Sequence, residues 1–277
     1  MKRPLIYLGV TARTSEELIQ ISDLGLAFAE IPFSELDGKP AFRRACRDAK
    51  RDLGIFCLAH GPQEGDPNNQ RTLQKRYQPQ LLRILPRLPA LSIQLLTVHF
   101  WVDPRFVTQR AILSKIDILR RITEEAAEQG IQICLENLSE QASHLAPLFE
   151  SVPLLGLTLD LGHGQFLSPV HTGFEIMAQF ADRIRHIHVH DNHGGRGPED
   201  DLHLPPGQGK VPFLSLFHEL REVGYHGTVT LELRIGEAQE CLPRVKEMLL
   251  EAGYEVAPRA LTQEEASASG SHDILRC

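Results

Sequence analysis

Eight times along this chain a short apolar run is followed by a longer stretch with helical spacing, and few folds accept that alternation. The apolar runs cover 5–11, 26–32, 55–61, 95–100, 132–138, 156–161, 185–191 and 227–234. The stretches between them repeat apolar residues every three or four positions and cover 15–24, 41–53, 71–85, 105–129, 144–151, 173–184, 211–223 and 238–252. Gly54 and Gly130 stand where a helix ends and a strand begins, a position that asks for a left-handed cap. Eight consecutive strand–helix units close most simply into one α/β barrel, the (β/α)₈ or TIM barrel, with its helices outside. A chain of 277 residues has the length for one such unit. The barrel is expected over 1–253. From Tyr254 onward large apolar residues thin out and a Ser-Ala-Ser-Gly-Ser run appears, so 254–277 is expected to form a flexible C-terminal tail.

Strand parity indicates what the lumen holds, because alternate residues of a strand face opposite sides. Ile131, Ile133 and Leu135 share one side, with Cys134 and Glu136 on the other. Thr158 and Asp160 oppose Leu157 and Leu159, and Glu232 opposes Val229 and Leu231. His186, His188 and His190 oppose Ile187 and Val189. The apolar sets are expected under the helices and the polar sets in the lumen. Phe56-Cys57-Leu58-Ala59-His60 does not divide this way, so His60 is placed by its position alone. The polar residues lie at the C-terminal ends of their strands, where barrel enzymes build their sites. His60, His99, Glu136, Asp160, His188 and Glu232 thus converge from strands three to eight. His163 follows strand six, and Asp201 and His203 lie in the loop after strand seven.

Imidazoles and carboxylates gathered at one mouth suit Zn²⁺, Mn²⁺ or Co²⁺ better than Ca²⁺, which prefers oxygen alone. Four ionisable groups crowded in a lumen repel or desolvate one another unless a cation sits among them. Glu136, Asp160, His188 and Glu232 are therefore expected to hold divalent metal. His163, Asp201 and His203 are read as further ligands or substrate contacts, and His60 and His99 as further ligands. The candidate substrate contacts are Arg234, His190 and Glu30. Each has a plain alternative: Arg234 as a counter-charge to carboxylates, His190 as a solvated loop residue, Glu30 as a support behind the ligands. His186, deeper in the lumen, is read as a core histidine.

The net charge is −7 with no block of Lys or Arg, which argues against nucleic acid as a partner. No apolar run approaches the roughly 18 residues of a membrane span. Met1-Lys2-Arg3-Pro4 leads straight into a strand, and with no export signal in view a cytoplasmic address is expected. The five cysteines form no C-x-x-C pair, in keeping with a reducing compartment. Outer helices of barrels often associate, so a homo-oligomer is compatible with this pattern.

Taken together, several pieces resemble the xylose isomerase-like barrel superfamily, which holds sugar isomerases, epimerases and endonuclease IV-type repair enzymes. They are Leu58-Ala59-His60-Gly61-Pro62, Thr97-Val98-His99, Leu135-Glu136-Asn137, Leu159-Asp160-Leu161-Gly162-His163, His188-Val189-His190-Asp191-Asn192, Asp201-Leu202-His203 with Gly207-Gln208-Gly209, and Leu231-Glu232. The resemblance implies one metal on Glu136, Asp160, His188 and Glu232 in the epimerase and isomerase branch. In the endonuclease branch it implies three zincs that also use His60, His99, His163, Asp201 and His203. The loops 33–38 and 63–69 depart from the basic and aromatic character that gripping a bent duplex requires.

The expected activity is a metal-dependent isomerase or epimerase of a sugar, sugar phosphate or related polyol ketone. Glu136 and Glu232 would act as acid and base through an enediolate, with His163 on a substrate oxygen. The alternative is a zinc phosphodiesterase acting on abasic DNA. The cofactor is one to three ions of Zn²⁺, Mn²⁺ or Co²⁺, and the partner a small carbohydrate-like molecule.

Overall fold

The computed structural model describes residues 3–263. Strands β1 (Leu5–Thr11), β2 (Phe28–Pro32), β3 (Phe56–His60), β4 (Leu95–His99), β5 (Gln132–Glu136), β6 (Gly156–Asp160), β7 (Ile184–Val189) and β8 (Gly227–Leu231) pair in parallel in chain order. β1 pairs with both β2 and β8, which closes the barrel. The outer layer consists of Ser15–Asp23, Pro40–Leu53, a segmented helix over 70–84, Gln109–Ala127, Ala142–Ser151, Gly173–Phe180, Phe213–Glu222 and Ile235–Glu251. The fold is the (β/α)₈ barrel that the alternation implies. No helix among the described residues is long and apolar enough to cross a membrane.

Two segments differ from expectation. The stretch after β2, read as loop, is a helical turn, Phe33–Gly38, that buries Phe33 and Leu36. Asp37 fastens it to the segmented helix, accepting from Arg83 Nη2 at 2.6 Å and Arg87 Nη1 at 2.7 Å. The stretch expected as tail starts out packed on the barrel. Tyr254 is 1% exposed, joins the hydrophobic core and donates its hydroxyl to the Tyr225 carbonyl at 3.0 Å, and β9 (Glu255–Val256) pairs with β1, contacts that polar composition alone conceals. The remainder of that expectation, 264–277, lies outside the described residues.

The lumen has two halves. Near the N-terminal ends of the strands, Ala27, Phe28, Leu58, Leu95 and Cys134 form an apolar plug, with Phe56 packed against it. Phe28 stacks on Phe56 at a centroid distance of 5.2 Å. This resolves β3: Phe56, Leu58 and His60 share the lumen, while Cys57 and Ala59 join the core beneath the helices. The lumen is polar only in its upper half, where side chains can reach solvent or an ion. Gly9 on β1 makes room for the plug, since a Cβ there would lie 2.5 Å from the Phe28 ring.

Gly9→Ala should therefore lower stability by about 1–3 kcal/mol through overpacking, and adding Phe28→Leu should recover part of the loss. Urea midpoints of the two variants check this; a Gly9→Ala midpoint equal to the parent's would remove the packing argument.

Candidate metal centre

The sheet register sets the level of each donor. His99 lies opposite Glu136 on the β4–β5 ladder, and Asp160 lies opposite His188 on β6–β7. Glu232 follows directly after β8, and its backbone N–H donates to the Val189 carbonyl at 3.1 Å, which keeps it level with the end of β7. These strand ends draw Glu136, Asp160, His188 and Glu232 into one group whose donor atoms all lie within 4.8 Å of one another. His60, His99 and Glu136 form a second such group, and His163, His190, Asp201 and His203 a third. The nine residues expected as ligands are thus brought together, with Glu136 shared between two groups.

Hydrogen bonds behind the ligands decide which nitrogen of each ring faces the centre. His60 Nδ1 donates to the Gly61 carbonyl at 3.0 Å, His163 Nδ1 to Asn137 O at 3.0 Å and His203 Nδ1 to Glu232 O at 3.1 Å. Each leaves its Nε2 pointing inward, as the supports behind metal-bound histidines do. His188 is held the other way, with Nε2 against Glu30 at 3.0 Å and Nδ1 facing Glu232 at 3.3 Å and Glu136 at 3.4 Å.

Without a cation these inward nitrogens meet carboxylate oxygens. Glu136 Oε1, Asp160 Oδ2, His188 Nδ1 and Asp201 Oδ1 are buried and have no hydrogen-bond partner. Buried polar atoms are nearly always satisfied, so four orphans around one mouth fit a divalent ion with mixed nitrogen and oxygen donors. In the absence of an ion, ring protons balance part of the carboxylate charge. Burial would lower the basicity of His60, but the Glu136 hydrogen bond and charge outweigh it and raise the group to about 9. His203 likewise rises to about 9, burial opposing and Asp201 prevailing. Burial would raise Asp160, yet the His163 and His190 charges bring it down to about 2. Glu136 is held well below its usual range against its burial, chiefly by His99 and His188.

Above the donors opens a cavity of about 840 Å³, lined by His60, His99, Glu136, His163, Asp201, His203 and Glu232. Its outer wall includes Thr11, Arg13, Phe33, Glu64, Trp101 and Leu138. Of the candidate substrate contacts, Glu30 lies on the cavity floor, 1% exposed. His190 is wholly buried, 3.2 Å from Asp160 and stacked on His203 at 3.8 Å. Arg234 is exposed at the start of helix Ile235–Glu251, outside the cavity lining, and among the described residues the arginine brought to that wall is Arg13. Sequence reasoning also passed over Trp101 and Glu64. The Trp101 indole N–H donates to Ser139 Oγ at 2.8 Å, and Glu64 meets the wholly buried Lys115 Nζ at 2.7 Å.

Comparison with known proteins adds the following. The sequence matches the family described as xylose isomerase-like TIM barrel over residues 18–255. An uncharacterized protein of Methanocaldococcus jannaschii is 31% identical over 156 residues, 53% of this chain and 52% of that one. Fructoselysine 3-epimerase of Escherichia coli O157:H7 is 26% identical over 122 residues, 42% of this chain and 43% of the enzyme. The chain spans about half the length of the curated relatives it matches. A solved structure of D-psicose 3-epimerase with D-tagatose from Clostridium cellulolyticum H10 superposes with a TM-score of 0.70 at 17% identity, covering 88% of this chain and 99% of that one. At that identity the likeness concerns the fold.

Chelation followed by dialysis should lower the melting temperature, and Zn²⁺, Mn²⁺ or Co²⁺ should restore it. An ion at ~100 times its dissociation constant adds about 2.7 kcal/mol, roughly 5 °C or more for a domain of this size. Because ring protons must leave before metal binds, and His60 and His203 hold theirs up to about pH 9, affinity should keep climbing with pH until about pH 9. Melting curves indifferent to all three metals would exclude the centre.

Proposed function

Since the chain belongs to the xylose isomerase-like TIM barrel family, we propose that it is a divalent-metal-dependent isomerase or epimerase of a sugar, sugar phosphate or related polyol ketone. One observation carries this reading. Two glutamates from different strands face the same donor atom, His188 Nδ1, at 3.4 and 3.3 Å, and both line the cavity. The epimerase activity named for the Escherichia coli relative supports the same class.

Glu136, Asp160, His188 and Glu232 would hold the ion, which when bound supplies a Lewis acid that polarises a substrate carbonyl. Glu232, whose side chain is 14% exposed, takes a proton from the carbon beside that carbonyl. The electron pair moves onto the carbonyl oxygen, giving an enediolate. Glu136 relays a proton from a neighbouring imidazole to the opposite face of the same carbon for epimerisation; for isomerisation the proton goes to the neighbouring carbon and the hydroxyl proton passes between the two substrate oxygens. With one ion bound, His99 Nε2 at 2.7 Å and His60 Nε2 at 3.2 Å from Glu136 Oε2 remain free to supply that proton. His163, with its Nε2 inward, binds a substrate oxygen. Phe33, Trp101 and Leu138 wall the cavity against water.

A second reading has its own observation. The two further donor groups adjoin the first, and Glu136 bridges one of them. Three clustered ions would instead generate a hydroxide and stabilise a leaving oxygen, the chemistry of phosphodiester hydrolysis.

Glu136→Gln and Glu232→Gln should each cut kcat by about 10²–10⁴-fold with the circular dichroism spectrum unchanged, assayed on ketoses and cyclic polyol ketones with Mn²⁺, Co²⁺ and Zn²⁺. Normal turnover in either variant rejects its role. Native mass spectrometry separates one bound ion from three, and nicking of a duplex with an abasic site at low salt would favour the hydrolase.

A further inference from the structure

Below the donor atoms lies a second polar set that the proposed chemistry leaves unused. Glu30 on β2 is 1% exposed, and His186 and His188 on β7 and Thr230 on β8 are wholly buried. The Glu30 carboxylate crosses the lumen to β7. Its two oxygens lie 3.1 and 3.0 Å from His188 Nε2, and Oε2 lies 3.2 Å from His186 Nε2. His186 is itself held by Thr228 Oγ1 at 2.7 Å on Nδ1 and Thr230 Oγ1 at 3.0 Å on Nε2.

On distance alone, Glu30, His186 and His188 are also close enough to share an ion. Their hydrogen bonding argues otherwise. Neither Glu30 nor His186 has an orphaned atom, and the only one on His188 is Nδ1, which faces the upper group. Protons, rather than a further ion, join this set.

We propose that Glu30 is a positioning residue for the metal centre. By accepting the Nε2 proton of His188 it selects one tautomer and one ring orientation, so that the Nδ1 lone pair faces Glu136, Asp160 and Glu232. A neutral imidazole has one donor and one acceptor nitrogen, and the bond made by one fixes what the other offers. The opposite tautomer would set an Nε2 lone pair against the Glu30 carboxylate and place a proton where the ion belongs. His186 completes the device. It gives Glu30 a second N–H donor and so offsets the burial of the carboxylate. This inference rests on the metal-centre reading: once the Nδ1 proton gives way to the ion, the ring already presents that nitrogen to the donor group.

The test compares full-length parent, Glu30→Gln and Glu30→Ala proteins. The Zn²⁺ dissociation constant is measured by competition with a chromogenic chelator. The ring N–H of His188 is followed by nitrogen-15 NMR in the zinc-loaded state and assigned by its loss in His188→Gln. Glu30→Ala should weaken zinc binding by up to about 100-fold and remove the slowly exchanging Nε2 proton. Glu30→Gln, which keeps an acceptor oxygen without the charge, should weaken binding roughly 10-fold. Parental affinity together with an unaltered ring proton in a folded Glu30→Ala overturns the proposal. Should that variant not fold, the same result in Glu30→Gln does so. A parent that binds no ion would sink the metal-centre reading itself, a different result from a parent that binds and variants that match it.

Discussion

Carboxylate oxygens and imidazole nitrogens are forced together in the mouth of this barrel, and the site follows from how their charges are balanced. Glu30, Glu136 and Asp160 are each at most 1% exposed. An uncompensated buried carboxylate costs several kcal/mol. Glu30 meets the demand with two imidazole N–H groups. Asp160 meets half of it, since Oδ1 accepts the His163 backbone N–H at 2.6 Å while Oδ2 has no partner. Glu136 Oε1 has none either. The unbalanced part is therefore concentrated on atoms that face one another, which is the arrangement a cation relieves.

The fold and the gathering of the candidate ligands were legible in the sequence for a common reason. Parallel strands buried on both faces give a uniformly aliphatic side toward the helices, and in β5 to β8 the other side is polar enough to stand out. The same rule misled at β3, because its lumen side begins with Phe56 and Leu58 in the apolar plug. Alternation is also a property of strands alone. Arg234 falls on the face of Glu232 only if the strand continues, yet β8 ends at Leu231 and the chain turns into a helix. His190 shows the converse: parity placed it in the lumen correctly, but its depth and its stacking on His203 depend on tertiary packing. Glu30 was visible as a polar strand residue. Its two histidine partners are 156 and 158 positions away, beyond any local pattern.

Lys115 left a trace that could have been read. It sits among Ala111, Ile118, Leu119 and Ile122 on the buried side of helix Gln109–Ala127. A lysine there requires an anionic partner. Which acid serves is a matter of loop path. It is Glu64, whose carboxylate also accepts the Trp101 backbone N–H at 3.0 Å. Trp101 is in turn stacked on Phe106 at 5.1 Å and anchored to Ser139. One buried ion pair thus fixes two loops of the cavity wall.

That wall bears on the choice between the two chemistries, since the donor groups alone accommodate both. Around the turn Phe33–Gly38 the charges are matched in pairs, Asp37 with Arg83 and Arg87, and Glu35 with Lys39. A phosphate backbone is gripped by cations that release counterions, and arginines committed to a carboxylate contribute little to that. A bounded cavity with an aromatic wall, one arginine and many acceptors suits a small polyhydroxylated molecule better. Under the two proposed readings the same histidines would take different work: His60 and His99 would stand beside Glu136 as its hydrogen-bond partners with one ion, and become ligands with three. Function in this barrel is set less by which residues are gathered than by how much positive charge arrives among them.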